Sequence, residues 1–463
     1  MLFACSLAIT RTSPGYDSIP FWFFKHFVYE ISPVLCKTIN VSIKNGFVPK
    51  SWKHAIITPV PKCSHVSTVS DLRPISVTSL LCRFVEKLVV KTYLVPAYHY
   101  LSVSDQYAYK PTGSTTSALV DLTHKICMLL EHSNYVRCLL IDFSKAFDTI
   151  DHCILVNKLK QLHLPNYILK WIVDFLTDRT QCTRFGLSIS VSLAINRSIV
   201  QGSGIGPCLF VVYISDLKAC GKSNYMIKFA DDCTLLVPEH SDVSIQQEIL
   251  YIREWAEKNK MSINMSKTKE IVFHRPHPSK YSLPNFLSNV ERVLVVKLLG
   301  IYLMDTLSMS EHVQQSIKVC NQRLYLLCQL KKMGMSCDCL TVVFDAIVLS
   351  KLLYASPAWF GFISVEHLNL IQKLLDKSYK WGLTNRMYNA TLLFSTRDCQ
   401  LFKLMRSSSH CLHHLLPPVR SVSYSPRQRG HPYELLEHKY QKLSVASLCD
   451  QFLITYRPNL SVV

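Results

Sequence analysis

Two adjacent carboxylates interrupt the apolar stretch MIKFADDCTLLV, residues 226–237. Side chains on a regular strand alternate between its faces, so Asp231 and Asp232 cannot point the same way unless the backbone turns between them. The apolar runs on both sides predict a β-hairpin with the pair at its tip. The pair taken alone has two explanations. It is either a solvated turn, in which Asp side chains bond nearby backbone amides, or a site for a hard metal ion such as Mg²⁺.

A third carboxylate favours the metal site. The run YVRCLLI predicts a buried strand over residues 135–141, and Asp142 follows it directly. If this strand lies beside the hairpin, Asp142 and Asp231 face a shared space and can bridge two cations. Asp148 and Asp151 lie beyond the end of the strand, and we expect them to have capping or structural roles.

The overall charge favours a polyanionic partner. The 463 residues include 51 Lys and Arg against 32 Asp and Glu, a formal net charge of +19. Nucleic acid is the commonest polyanion that such a surface attracts, although a basic protein without an anionic partner is the alternative. A hydrophobic content of 49% indicates a folded protein, and the length suggests roughly two to four packed units.

Cysteine usage and hydropathy indicate an intracellular protein. The 18 cysteines have no regular spacing, which favours reduced thiols. The apolar start MLFACSLAI lacks a basic leader region, and AIVLSKLLYASPAWFGF contains Lys351 and Pro357, so we expect neither a signal peptide nor a membrane span. A C-terminal group of Cys and His residues fits no zinc-site spacing and is expected to serve packing or the surface. It comprises Cys399, His410, Cys411, His413 and His414.

Periodicity and breakers outline the remaining elements. We expect a helix ending at Gly46, a helical segment from Pro74 to Leu94, and two helices within 153–176 separated at Pro165. Further predictions are a strand in HAIITPVPK, a helix over 243–260, mainly helices past residue 311 with a stop at Gly334, a linker over 415–433 and a short closing helix.

The segment QGSGIGP, residues 201–207, holds three of the 13 glycines. Its backbone must approach something closely or adopt positive φ. A dinucleotide-binding fingerprint has glycines at its first, third and sixth positions, whereas here they occupy the first, third and fifth. This spacing excludes a Rossmann site.

Taken in order, these blocks resemble reverse transcriptases, and among them the enzymes of non-LTR retrotransposons. The similarity runs from TSPGYDSIP, which begins at Thr12, to roughly Phe360. Eight blocks in family order carry it: NGFVPKSWKHAIITPVPK, LRPISVTSLLCRFVEKL, DQYAYKPTGSTTSALVDL, LLIDFSKAFDTIDH, QGSGIGPCLF, FADD, INMSKTKEIVF and VKLLGIYL. The resemblance implies an α+β right-hand polymerase. Its parts would be fingers over 1–134, a palm with an antiparallel sheet over 135–305, a helical thumb over 306–390 and a C-terminal extension over 391–463.

The resemblance also implies the reaction. An RNA-directed DNA polymerase of this family extends the 3′ hydroxyl of a DNA primer on an RNA template with dNTPs, using two Mg²⁺ ions for which Mn²⁺ can substitute. Asp142 and Asp231 would bind the metals, Asp232 would support them, and the backbone carbonyl of Phe143 would be a further ligand.

Other positions acquire roles in the same way. Phe147 occupies the position of the aromatic gate that would clash with a ribonucleotide 2′ hydroxyl, and core packing is the alternative. Gln201 and Gly202 match the loop that lies against the template and the incoming nucleotide.

Basic residues match the phosphate-binding positions of the family. Lys62 and Arg73 would meet the triphosphate, and Lys267 would act near the leaving pyrophosphate, with ordinary surface charge as the alternative. Cations on the helix from residue 311 would contact a phosphate backbone. These are Lys318, Arg323, Lys331 and Lys332.

The chain begins almost at the first finger motif, so we expect a retrotransposon fragment without the upstream endonuclease, located in the nucleus. One alternative is a catalytically decayed remnant that only binds nucleic acid; the retained carboxylates, Gln201 and Phe147 oppose it. Another is a group II intron or retron type of reverse transcriptase, which KAFDTIDH disfavours. The oligomeric state is left open.

Overall fold

The computed structural model of the chain describes residues 13–101, 103–275, 282–419 and 433–434. Its contacts divide the chain into two compact units. Unit 1 comprises Met1–Tyr109, Phe143–Lys218 and Leu250–Ile263, and unit 2 comprises Lys110–Asp142, Ala219–Ile249 and Asn264–Val463. The apolar start MLFACSLAI, most of the predicted linker and the predicted closing helix lie outside the described residues. The division into fingers, palm, thumb and extension stays a prediction.

The strands and helices are numbered in chain order. The strands are β1 (His54–Pro61), β2 (Leu72–Val77), β3 (Tyr135–Ile141), β4 (Arg179–Phe185), β5 (Ser188–Ile189), β6 (Leu193–Ile195), β7 (Tyr225–Phe229), β8 (Asp232–Pro238), β9 (Lys269–His274), β10 (Glu291–Arg292), β11 (Val295–Leu298) and β12 (Ile301–Met304). The α-helices of four or more residues are α1 (Phe21–His26), α2 (Val28–Asn45), α3 (Leu80–Val89), α4 (Thr115–Leu130), α5 (His152–Lys160), α6 (Asn166–Leu176), α7 (Gly206–Tyr213), α8 (Ile245–Lys258), α9 (Ser310–Lys332), α10 (Cys337–Phe344), α11 (Ser350–Leu353), α12 (Val365–Lys380) and α13 (Ala390–Met405).

Most predicted elements are confirmed. Gly46 ends α2 in the left-handed conformation (φ 63°), Pro165 separates α5 from α6, and Gly334 (φ 89°) follows α9. The helical prediction from Pro74 was wrong at its start, because residues 74–77 belong to β2 and α3 begins at Leu80. Pairing of β2 with β1 overrides the local helical periodicity, and the edge position of β2 tolerates its proline.

Unit 1 is built on a sheet with the order β2–β1–β4–β5, in which β6 also pairs with β4. Strands β1 and β2 are antiparallel, whereas β1 and β4 are parallel. Helix α2 packs against α6, and α5 packs against α7. The segment QGSGIGP leads directly into α7.

Unit 2 is built on a sheet with the order β10–β9–β3–β8–β7, with β3 at its centre. Strands β3, β8 and β9 are almost continuously buried, which explains their uninterrupted apolar runs. Helix α4 packs against β3, β7 and β8. Strands β11 and β12 form a separate hairpin.

One polar cluster lies within this sheet. Glu270 on β9 is fully buried and binds the guanidinium groups of Arg137 (2.6 Å) and Arg292 (2.7 Å). A buried carboxylate needs such partners, because an unpaired charge in the interior is costly. This ion pair explains why the otherwise apolar strand YVRCLLI contains a charged residue, Arg137.

Among the described residues, one helical segment, Cys337–Ala358, is long and apolar enough to cross a membrane. A helix in the core of a folded unit meets the same criteria. Both α10 and α11, which lie in this segment, pack against α9. The expectation of no membrane span stays a prediction.

Candidate active site

Strands β7 and β8 form the predicted hairpin. Phe229 lies opposite Asp232, so Ala230 and Asp231 make the two-residue turn. The two carboxylates do not share the tip as expected, because Asp231 lies in the turn and Asp232 opens β8. Ala230 adopts a φ of 56°, a left-handed conformation that costs a non-glycine residue roughly 1 kcal/mol. The turn thus holds a strained residue beside the first carboxylate.

Pairing of β3 with β8 brings Asp142 to the same edge of the sheet, which confirms that this strand lies beside the hairpin. Ile141 lies opposite Cys233 in the antiparallel register. The next step along both chains sets Asp142 across from Asp232, and directly opposed residues point to the same face. Both carboxylates line one cleft.

The three carboxylates interact electrostatically. Burial of the Asp232 carboxyl, followed by repulsion from Asp231 and Asp142, raises its pKa to about 6. Asp232 keeps an exposed surface, so solvent screens part of this repulsion. A cation near the cluster would favour the ionised carboxylates, because opposite charge stabilises the charged form.

The carboxylate cluster fits a divalent cation whose remaining ligands are substrate phosphates and water. Among the residues that the structure describes, no three His, Cys, Asp or Glu side chains form a metal cage. In phosphate-transfer sites, however, Mg²⁺ is bound through one or two carboxylates plus substrate phosphates and water. Two facing carboxylates at a sheet edge, with a third in the adjacent turn, suit this type of site.

The loop that carries Asn264 and Thr268 binds the backbone of Asp142. The amide of Asn264 donates to the carbonyl oxygen of Asp142 (2.7 Å), and the amide of Asp142 donates to Oγ1 of Thr268 (3.4 Å). Thr268 is buried and also donates to the carbonyl of Asn264 (2.9 Å). The sequence predictions missed both residues, although they belong to the quoted block INMSKTKEIVF.

The cleft has a volume of about 300 Å³ and combines both charge signs. Besides Asp142 and Asp232, its lining includes Lys267, Lys269 and Lys297, together with apolar residues of β11. Lys267 therefore lies beside the carboxylates, and its role near the leaving pyrophosphate stays a prediction. Lys269 and Lys297 were missed, because in the sequence nothing distinguishes them from surface lysines on strands.

In unit 1, Gln201 and Gly202 lie against the edge strand β2. The amide of Ser76 donates to the carbonyl oxygen of Gln201 (2.7 Å). Gly202 has a φ of 107°, and a Cβ there would lie 2.5 Å from the carbonyl oxygen of Ser76. The close approach and positive φ predicted for this segment are both confirmed. The amide of Ile205 donates to buried Glu86 on α3 (3.1 Å), which anchors the end of the segment.

Phe147 and Asp151 belong to the turn after β3. Phe147 is half-buried, and its ring stacks on Phe210 with a centroid distance of 4.4 Å. Asp151 accepts from the amide of Cys153 (3.0 Å) at the start of α5 and pairs with Lys260 (2.6 Å). The capping role predicted for Asp151 is confirmed, whereas the gate role of Phe147 stays a prediction.

Phe143 follows Asp142 directly but belongs to unit 1. Its side chain is buried, with the ring centroid 6.2 Å from that of Trp255. Its backbone bridges to Ile263. This packing sets its backbone orientation, and the metal-ligand role of its carbonyl stays a prediction.

Lys62 and Arg73 lie at the connection between β1 and β2. Arg73 is opposite Val60, and the amide of Lys62 donates to the carbonyl of Asp71 (2.8 Å), which extends the strand pairing. Both cations are exposed. Nζ of Lys62 donates to the carbonyl of Ser70 (2.8 Å).

Two of the cations predicted to contact phosphate along α9 donate hydrogen bonds within the protein, and their phosphate contact stays a prediction. Arg323 donates to the carbonyl of Ile347, within a π-helical segment, and Lys331 donates to the carbonyl of Trp381 (2.6 Å). π-Helical segments disturb the regular hydrogen-bond ladder, so a side-chain donor there helps to satisfy it.

The C-terminal Cys and His residues make packing contacts. Cys411 donates through its amide to Oγ1 of Thr112 (2.9 Å), and His414 lies 3.4 Å from the buried carboxylate of Asp121. His413 contacts the carbonyl of Met405 (2.9 Å). These contacts agree with the expected packing role.

Comparisons with known proteins address the family. The family model described as "Reverse transcriptase (RNA-dependent DNA polymerase)" matches residues 60–303, more than half of the chain. The chain is 25% identical over 441 residues to the probable RNA-directed DNA polymerase from transposon BS of Drosophila melanogaster, covering 91% of this chain and 47% of that protein. It is 24% identical over 456 residues to the corresponding protein from transposon X-element of the same fly, covering 92% and 48%. The chain thus spans about half the length of the curated relatives it matches.

A solved structure of telomerase from Candida tropicalis, in complex with the TWJ fragment of telomeric RNA, is also similar. It aligns over 84% of this chain and 68% of its own, with 11% identity and a TM-score of 0.40. The range matched by the family model contains Asp142, Asp231, Asp232 and the Gln201 loop. The resemblance to transposon-encoded reverse transcriptases is confirmed. On the family match, the chain belongs to the reverse transcriptase (RNA-dependent DNA polymerase) family.

Proposed function

We propose that this chain is an RNA-directed DNA polymerase that extends the 3′ hydroxyl of a DNA primer on an RNA template with dNTPs. The observation that carries the proposal is the carboxylate cluster at the edge of the unit 2 sheet, where Asp142 and Asp232 face each other beside Asp231. A net charge of +19 suits a nucleic-acid substrate. Family membership supports the same reaction.

The carboxylates would hold divalent cations, Mg²⁺ with Mn²⁺ as a substitute. Asp142 and Asp231 would be the principal ligands, Asp232 would support them, and the Phe143 carbonyl would contribute. The chemistry that such ions supply is neutralisation of the triphosphate and activation of the 3′ hydroxyl. Burial, followed by repulsion from Asp231 and Asp142, raises the pKa of Asp232, and a bound cation would favour its ionised form.

The remaining residues would bind and orient the substrates. Lys267 lies in the carboxylate cleft and would attract the pyrophosphate that leaves. Lys62 and Arg73 would attract the triphosphate as exposed cations. Gln201 and Gly202 would contact the template and the nucleotide.

Primer extension tests the metal cluster. Purified protein with a primed homopolymer RNA, Mg²⁺ and labelled dNTP should extend the primer, and Asp231→Ala or Asp142→Ala should abolish extension. Asp376→Ala is the matched control, because it removes an exposed carboxylate on α12 that accepts only a local bond from Gln372. Equal incorporation by wild type and Asp231→Ala would refute the assignment of the cluster. Binding of RNA–DNA duplex without extension would favour a decayed nucleic-acid-binding remnant.

The proposed role of Phe147 in excluding ribonucleotides is tested separately. Phe147→Ala should incorporate ribonucleotides more readily than wild type, since a smaller side chain leaves room for the 2′ hydroxyl. If the variant excludes ribonucleotides as strongly as wild type, Phe147 serves packing against Phe210 alone.

A further inference from the structure

In unit 1, the turn that follows β3 is hydrogen-bonded to the segment that leads into QGSGIGP. The amide of Ile199 donates to the carbonyl of Phe147 (2.9 Å), and the amide of Ser198 donates to the carbonyl of Ile150 (3.0 Å). These backbone bonds place the turn carrying Phe147 alongside the irregular segment that precedes Gln201. The two sequence blocks thus form one local structure.

A side-chain bond completes this structure. Nε2 of Gln201 donates to Oδ1 of Asp148 at 2.7 Å, and both side chains are half-buried. Hydrogen bonds to an ionised acceptor are shorter and stronger than neutral ones. An ionised carboxylate accepts only, so it must receive the amide nitrogen. The oxygen of the Gln201 carboxamide therefore points away from Asp148.

The backbone of Gln201 is held as well, because its carbonyl accepts from Ser76. With the backbone and the amide nitrogen both bound, the rotation about the last side-chain torsion, which is broad for a free Gln, is restricted. Gln201 thus presents one defined acceptor, its Oε1.

We infer that Asp148 is a positioning residue that orients the Gln201 carboxamide toward the incoming nucleotide. The inference rests on the proposed function, in which Gln201 contacts the nucleotide and the template. Asp148 acts through Gln201 and contacts no substrate itself. Because Phe147 is the preceding residue of the same turn, one turn positions both the Gln201 carboxamide and the ring predicted to be the sugar gate.

The test is a double-mutant cycle in primer extension on a primed homopolymer RNA, measuring kcat and KM for the matched dNTP and the rate of mismatched incorporation. Asp148→Ala should raise KM about tenfold, in line with the loss of one bond to a charged group, and should increase misincorporation. Asp148→Asn, which keeps an acceptor oxygen, should restore most of the wild-type KM. Thr149→Ala, a neighbouring substitution in the same turn, should leave both quantities unchanged.

The decisive comparison is the double variant. If Asp148 acts through Gln201, Asp148→Ala should add less than twofold to the KM of Gln201→Ala. A tenfold effect in both backgrounds, or a melting-temperature loss with unchanged KM, would overturn the inference and leave Asp148 a structural residue. These results presuppose extension by wild type, so they leave the proposed function standing. Absence of extension by wild type would overturn both.

Discussion

Substitution of Gly202 by alanine tests how closely the Gln201 segment must approach β2. The added Cβ would lie 2.5 Å from the carbonyl oxygen of Ser76, whereas ordinary contacts begin at 3.4 Å. The φ of 107° adds left-handed strain of roughly 1–2 kcal/mol. Relief of the clash requires the segment to move, which breaks the bond between Ser76 and Gln201, worth about 1 kcal/mol. We expect the free energy of unfolding to fall by about 2–4 kcal/mol.

Gly334→Ala is the matched control. Gly334 has a similar φ of 89°, but a Cβ there would meet nothing within 4 Å. This variant should therefore lose only the conformational term, roughly 1–2 kcal/mol. Urea unfolding measures stability, and kcat/KM in primer extension should fall at least tenfold for Gly202→Ala alone. If both variants lose equal stability and activity, close approach to Ser76 is not what requires glycine.

Three further predictions concern strain and protonation. Ser198 adopts a φ of 85°, so Ser198→Gly should raise the free energy of unfolding by about 1 kcal/mol, and an unchanged or lower melting temperature would contradict this. Burial, with a smaller contribution from nearby positive charge, lowers the pKa of His312 to about 4. Its unfolded pKa lies higher, so stability should fall by up to about 3 kcal/mol as pH drops from 6.5 toward 4, and His312→Gln should flatten this fall in urea titrations. The raised pKa of Asp232 has the opposite sign, so the metal-free protein should lose stability as pH rises from about 4 to about 6. Parallel pH curves for Asp232→Asn and wild type would refute that reasoning.

Local sequence signals identified the parts of the candidate site with strong patterns. The hairpin at MIKFADDCTLLV followed from two apolar runs around a polar pair, and Gly202 followed from the density of glycines. The helical prediction from Pro74 failed because residues 74–77 gain more from pairing with β1 than from helical periodicity.

Residues whose role depends on distant partners carried no local signal. Thr268 and Asn264 hold the backbone of Asp142, from which more than 120 positions separate them in the chain. Lys297 enters the cleft only because β11 lies beside the carboxylates. Asp148 was expected to have a capping or structural role, and its bond to Gln201 depends on the packing of two separate blocks.

That three carboxylates follow or interrupt apolar strands in a basic chain can be read from the residues alone, because alternation and strand ends are local properties. The facing of Asp142 and Asp232, with Asp231 in the turn, depends on the fold, because register is set by pairing between strands about 90 residues apart. Burial and, secondarily, repulsion from Asp231 and Asp142 raise the pKa of Asp232. The contribution of Asp142 arises only once β3 and β8 have paired, because 90 positions separate Asp142 from Asp232 in the chain.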